Sequence, residues 1–169
     1  AGSPGASGVF EVFRYNQNAW QMIGEIYVVG GERFGDSVAM SEDGTIVAFG
    51  NPKTIAGEVW VFQYSNMIGN YAQLGQKIVG TVAGSNFGRS VSLDGSGLRL
   101  AVGSATSNQA SIHEFEDENW KTVGSISLSE LPGAHQQGVT VSMSRDGQIV
   151  ALGSYNHLVS EDFKSSRRD

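Results

Sequence analysis

The side chains in this sequence best suited to chemistry are three histidines, His113, His135 and His157, spaced 22 residues apart. A nucleophile triad needs serine, imidazole and carboxylate brought together. Serines are abundant, but the histidines keep no motif spacing with them or with one another. They offer no H-x-x-x-H pair for a transition metal, and the chain has no cysteine. Thiolate metal sites, cysteine nucleophiles and disulfide frameworks are thereby excluded together, while the redox compartment is left undetermined. The three histidines are expected at the surface.

Other features invite a functional reading and yield a plainer one. The glycine-rich stretches GASG and VAGSNFG are followed neither by a lysine-serine/threonine pair nor by a helix start, so they are turns rather than phosphate loops. The acidic run Glu114, Glu116, Asp117 and Glu118 around Phe115 reads as solvated loop charge rather than a cation patch. Trp20, Tyr71 and Trp120 recur at one position of a repeat, which favours wedges between core elements over a ligand-stacking ring.

Charge narrows the partners. With 11 basic and 17 acidic residues the net charge is −6, so the chain has no basic footprint for nucleic acid or an anionic membrane surface. The longest apolar runs, such as TIVAFG at 45–50, fall far short of the ~20 residues of a membrane-spanning helix, and no charged-then-apolar signal stretch opens the chain. No N-x-S/T glycosylation acceptor occurs. The 169 residues suit one domain, and 23 glycines with only 17% charged residues suit a turn-rich β protein.

The elements that would position any site come from a threefold repeat of about 51 residues. An extended apolar segment, VFEVF at 9–13, VWVF at 59–62 and SIHEF at 111–115, ends in Phe13, Phe62 and Phe115. An aromatic residue then stands four positions before a glycine, as Trp20 and Gly24, Tyr71 and Gly75, Trp120 and Gly124. Last comes an ungapped 17-residue block, FGDSVAMSEDGTIVAFG at 34–50, FGRSVSLDGSGLRLAVG at 87–103 and QGVTVSMSRDGQIVALG at 137–153.

Each block reads as strand, tight turn, strand. Asp43-Gly44, Ser96-Gly97 and Asp146-Gly147 stand where a two-residue hairpin turn would place a positive φ. Ile46 to Phe49 are apolar on both faces, so these strands are expected between two packed sheets. With the VxVF and aromatic strands the count is four strands per repeat and no helix, the pattern of a β-propeller blade. The expected architecture is all-β, with about three four-stranded blades forming a partial propeller or part of a larger ring.

The repeats are expected over 9–56, 57–109 and 110–158 within one domain, 1–158, followed by a polar tail, 159–169. Residues 1–8 read as the tail of a preceding repeat, because Gly2 precedes Phe13 much as Gly50 precedes Phe62 and Gly103 precedes Phe115. That start inside a repeat suggests an excised or cleaved fragment. Three blades leave two apolar faces uncovered, so self-association, with two copies closing six blades, or a partner protein is expected.

The FG pairs at 34–35 and 87–88, the serines Ser37 and Ser90, SEDGTIVAFGNP and GEVWVF together resemble the FG-GAP repeats of integrin α-like propellers over nearly the whole chain. The resemblance implies a noncatalytic adhesion or protein-interaction module, extracellular or at the cell surface. Calcium-binding FG-GAP hairpins carry alternating oxygen ligands. Here the turns read Ser41-Glu42-Asp43-Gly44, Asp94-Gly95-Ser96-Gly97 and Ser144-Arg145-Asp146-Gly147, so no metal or other cofactor is assigned. The third repeat departs further, with Gln137 in place of the FG phenylalanine.

No catalytic residue is assigned. Candidate binding loops are the variable connections 51–57, 104–110 and 129–138. Two other readings stand beside the interaction module: a structural or accessory subunit whose open faces are its interface, and a carbohydrate-binding propeller, which would need equivalent pockets recurring from blade to blade.

Overall fold

The computed structural model describes residues 7–29, 34–127 and 139–154. The loop 129–138 with His135 and Gln137, the tail with His157, and residues 1–6 lie outside the described residues. The described residues form strands and turns, with no helix among them.

Four antiparallel sheets follow one another along the chain. Strands β1 (Ser7–Asn16) and β2 (Ala19–Val29) form a hairpin. The next sheet is ordered β3 (Ser37–Met40), β4 (Ile46–Asn51), β5 (Glu58–Ser65), β6 (Asn70–Gln73), with the short β7 (Ile78–Val79) also pairing with β5. The third is ordered β8 (Phe87–Leu93), β9 (Arg99–Ser104), β10 (Gln109–Glu116), β11 (Asn119–Ser127). Strands β12 (Val139–Met143) and β13 (Val150–Ser154) make the last hairpin.

The sheets are propeller blades, and the ring they belong to is not closed. Each 17-residue block forms the two inner strands of a blade, while the VxVF and aromatic segments form the outer two. The sequence repeat therefore straddles two sheets: 9–56 gives β1 and β2 to one blade and β3 and β4 to the next. The described residues hold two complete blades flanked by half-blades of opposite kind, an outer pair (β1–β2) at one end and an inner pair (β12–β13) at the other.

Burial follows the pattern of strands apolar on both faces. Val47 and Ala48 are fully buried, as are Leu100, Ala101 and Val102 at the equivalent place. One core cluster, including Val12, Ile26, Val47, Phe49, Phe62 and Tyr71, joins the first half-blade to the first complete blade. A second, including Ala48, Val61, Phe87, Leu100 and Trp120, joins the two complete blades. Serines on the innermost strands tie neighbouring blades together. Ser37 Oγ donates to Gly88 O at 2.8 Å, Ser90 Oγ accepts from Val141 N–H at 3.0 Å, and Ser92 Oγ accepts from Met143 N–H at 2.9 Å.

The inner hairpins differ from the sequence expectation. Their turns span four residues rather than two: Ser41 N–H donates to Ile46 O, Asp94 N–H to Arg99 O and Ser144 N–H to Ile149 O. The glycines Gly44, Gly97 and Gly147 do take positive φ, but as the third residue of a four-residue loop. Two-residue turns occur instead in outer hairpins, where Gln17-Asn18 and Asp117-Glu118 all have positive φ.

The reason for the longer turn is a serine–aspartate pair that satisfies its backbone donors. Asp43 Oδ1 accepts from Ser41 Oγ and Thr45 N–H, and Ser41 Oγ accepts from Ile46 N–H. Ser144 and Asp146 repeat the arrangement. In the second block the two residues trade places: Asp94 Oδ1 accepts from Arg99 N–H, Ser96 Oγ accepts from Leu98 N–H, and Ser96 Oγ donates to Asp94 Oδ2. These bonds hold the Asp43 and Asp146 carboxyls below their ordinary pKa. The turn carboxylates thus point back into their own turns.

The trade predicts a measurable coupling. Ser41→Ala or Asp43→Ala should each destabilise the fold by about 1 kcal/mol. The exchanged double variant Ser41→Asp/Asp43→Ser should recover most of the loss expected from its two single substitutions. Urea unfolding of the four proteins checks this.

Candidate functional site

Two places depart from the repeat that builds the rest of the molecule: the open blade edges and a pocket around His113.

The edges follow from how the aromatic-x-x-x-Gly segment works. The glycine of each repeat is a seat for the aromatic of the next. A methyl group on Gly24 would stand 2.5 Å from the Tyr71 ring, and one on Gly75 would stand 2.8 Å from Phe115 and 3.1 Å from Trp120. Tyr71 O–H then donates to Gly44 O at 2.6 Å, and Trp120 Nε1–H donates to Leu74 O at 3.0 Å. Tyr71 and Trp120 are buried core wedges, as expected.

Trp20 is not. It is 69% exposed, because no described blade stands in front of it. At the other end Gly124 has nothing within 4 Å among the described residues. Among the described residues there is therefore an aromatic without a seat at one edge and a seat without an aromatic at the other. On the same face as Trp20, Val9, Phe13, Tyr15, Met22 and Tyr27 are exposed, with the cross-strand pair Glu11–Glu25 set among them; beside Gly124, Val123 and Ile126 are exposed, as is Ile149 on the half-blade. Exposed large apolar side chains grouped at an open sheet edge make these edges a candidate interaction surface. The acidic run lies elsewhere, with Arg99 pairing with Glu114, and Lys121 with Glu116 and Asp117 at 2.9 Å each.

The pocket arises from a substitution that sequence alignment on phenylalanine hides. Val47 pairs with Phe62 and its block equivalent Leu100 pairs with His113. His113, not Phe115, thus occupies the place of Phe62 and Phe13. Phe115 instead matches Tyr64 and Tyr15, each ring 5.3 Å from its cross-strand aromatic partner. The connection from β9 to β10 is two residues shorter than that from β4 to β5, which shifts SIHEF along its strand.

His113 is consequently buried, correcting the surface expectation. Its Nε2 is 2.8 Å from Ser111 Oγ and its Nδ1 is 3.2 Å from Thr122 Oγ1, with donor and acceptor roles set by the tautomer. Burial pushes its pKa from 6.5 down to about 4. The ring packs edge-on against Phe87 at 5.9 Å and faces a pocket of about 250 Å³ lined by Thr81, Ser85, Ser104, Ser107, Gln109, Ser111, Thr122 and Ser125, with Val79, Val82 and Phe87 as apolar walls. Part of the connection 104–110 belongs to this lining.

A hydroxyl bonded to an imidazole is the front half of a nucleophile dyad. Here the imidazole is a weak base, and a hydroxyl rather than a carboxylate stands behind its second nitrogen, so nothing described stabilises the imidazolium that proton abstraction would form. The neutral ring also sets a pH dependence. As pH falls below 6.5 the unfolded state takes up a proton that the folded state resists until about pH 4. Stability should therefore drop across that window by roughly 3 kcal/mol. His113→Phe should remove the drop, as thermal melts of both proteins at matched pH would show.

No family model matches the chain, and no curated protein matches it. Solved structures do share its fold. A putative 6-phosphogluconolactonase from Bacteroides uniformis superposes with TM-score 0.61 at 13% identity, covering 86% of this chain and 44% of that one. A putative 6-phosphogluconolactonase from Bacteroides fragilis gives TM-score 0.55 at 17% identity, covering 87% and 36%. A complex of KlAtg21 with the coiled-coil of AgAtg16 gives 0.57 at 14%, covering 85% and 44%. The chain spans less than half the length of these neighbours. At such identities the likeness is one of fold alone, and the fold it supports is an all-β, open β-propeller arrangement.

Proposed function

We propose that the chain is a noncatalytic interaction module that acts by completing propeller blades across its two open edges. The observation that carries this reading is the unmatched pair of Trp20 at one edge and Gly124 at the other. An outer half-blade and an inner half-blade make one four-stranded blade, so each edge supplies what the other lacks. A second copy is the occupant proposed, since it carries both halves in the register the complete blades use, and two copies would reach six blades.

The FG-GAP-like motifs support an adhesion or protein-association role at a cell surface or outside the cell. Among the fold neighbours, one is solved with a coiled-coil partner while others are named as putative lactonases. Those names reach this chain only through the fold, and fold does not carry activity. The weakly basic His113 favours the noncatalytic reading.

Sedimentation over a range of dilutions tests the proposal. Twice the chain mass of 18.0 kDa is expected, reverting to the single mass in Gly124→Phe, which fills an empty seat without touching the described core. A dilution-independent monomer contradicts it. Completion by a different protein, or by further blades of a longer polypeptide, would show as a monomer that such a partner converts to a larger complex through the same two edges.

A further inference from the structure

The two complete blades place very different side chains at the same strand positions. In the first, Trp60 and Phe62 on β5 stack 6.4 Å apart, with Phe49 6.1 Å from Phe62 and Phe34 6.1 Å from Trp60. In the second, the registers put Ser111 opposite Val102 and His113 opposite Leu100, where the first blade has Trp60 opposite Phe49 and Phe62 opposite Val47. Two large rings and a phenyl are thus exchanged for a hydroxyl, an imidazole and an isopropyl group. Ser111 and His113, which stand where the first blade has Trp60 and Phe62, both line the pocket.

We propose that this pocket binds one small, neutral, polyhydroxylated ligand of monosaccharide size. Its volume of about 250 Å³ would hold on the order of eight waters at ~30 Å³ each and falls just below the ~300 Å³ at which drug-sized ligand sites begin, which suits a ligand of one sugar ring. Hydroxyls and an amide surround it, and none of its described lining residues is an aspartate, glutamate, lysine or arginine, so nothing there balances a charged ligand. Val79, Val82 and Phe87 supply the apolar wall that the C–H face of a sugar ring packs against. Among the described complete blades the site is single: the equivalent position in the first blade is filled with aromatic rings. It is therefore distinct from the recurring pockets of a carbohydrate-binding propeller and independent of the open edges.

The test is an NMR titration of the full chain, following the backbone amide resonances of Gln109 and Thr122, pocket residues that every variant below retains, with glucose, galactose, fucose, xylose and myo-inositol against glucose 6-phosphate and glucuronate. Saturable shifts with at least one neutral probe, and none with the charged ones, are expected. Ser111→Trp and His113→Phe, which restore the residues of the first blade, should weaken binding about tenfold or more. Ser125→Phe, placed at an exposed position of the lining, should do the same should either core variant fail to fold. Failure of every neutral probe to give saturable shifts overturns the proposal, as does undiminished binding in the filled variants or equal binding of the charged probes.

Discussion

Ala101→Asp should yield no soluble folded protein, and Val47→Asp should behave alike. Both residues have no exposed surface and lie on strands packed between two sheets. An aspartate there has no partner of opposite charge to meet it in the core clusters, which are built of apolar side chains. Burying an unpaired carboxylate, or protonating it to avoid that, costs several kcal/mol, comparable with the whole stability of a small domain. Expression followed by a solubility assay reads the result. Ala151→Asp at the equivalent position of the last half-blade, where the side chain is exposed, should remain soluble and folded. The contrast separates a fold-wide intolerance of charge from one caused by blade-on-blade burial.

The second large effect lies at the glycine that closes each 17-residue block. A methyl group at Gly50 would stand 1.9 Å from Gly88 O and 2.3 Å from Ser37 Oγ, and one at Gly103 would stand 2.5 Å from Val139 O. In both cases the obstacle includes backbone of the next blade's inner strand or its approach, which cannot rotate aside. Gly50→Ala and Gly103→Ala should therefore destabilise by roughly 3 kcal/mol or more. At Gly153 the methyl would meet, among the described residues, only Thr140 Oγ1, at 2.7 Å, and a side-chain rotation relieves that. Gly153→Ala should leave the fold of the chain near wild-type stability while weakening association, because its absent neighbour is the blade a second copy would bring. Guanidinium unfolding below and above the association concentration distinguishes the two effects.

How much of this was legible in the sequence depends on which interaction fixes each residue. The hairpin blocks were readable because alternation, a central glycine and an apolar second strand are all local signals, and the blade followed from their recurrence. The seating of Tyr71 on Gly24 and of Trp120 on Gly75 left a trace as aromatic-x-x-x-Gly, but the contact joins residues about 45 apart, so the spacing showed a motif without its meaning. The turn length is not legible because Asp-Gly favours a two-residue turn, whereas here the aspartate side chain is taken up by a neighbouring serine and the backbone of a longer loop. The burial of His113 is hidden in the sequence because Phe115 lies two residues on, offering a better match by type. Only the strand register, set by the shorter β9–β10 connection, puts the imidazole in the phenylalanine position.

The reading of the open edges as complementary halves of one blade is tested most directly by its register. The complete blades pair Val47 with Phe62 and Leu100 with His113, so β13 of one copy should pair with β1 of another, placing Val150 opposite Phe13. The chain has no cysteine of its own. Phe13→Cys and Val150→Cys proteins, mixed and oxidised, should therefore form a disulfide heterodimer in high yield, and Phe13→Cys with Ser142→Cys should not. A ladder of equal yields for both mixtures, or no cross-linked species in either, would contradict the account.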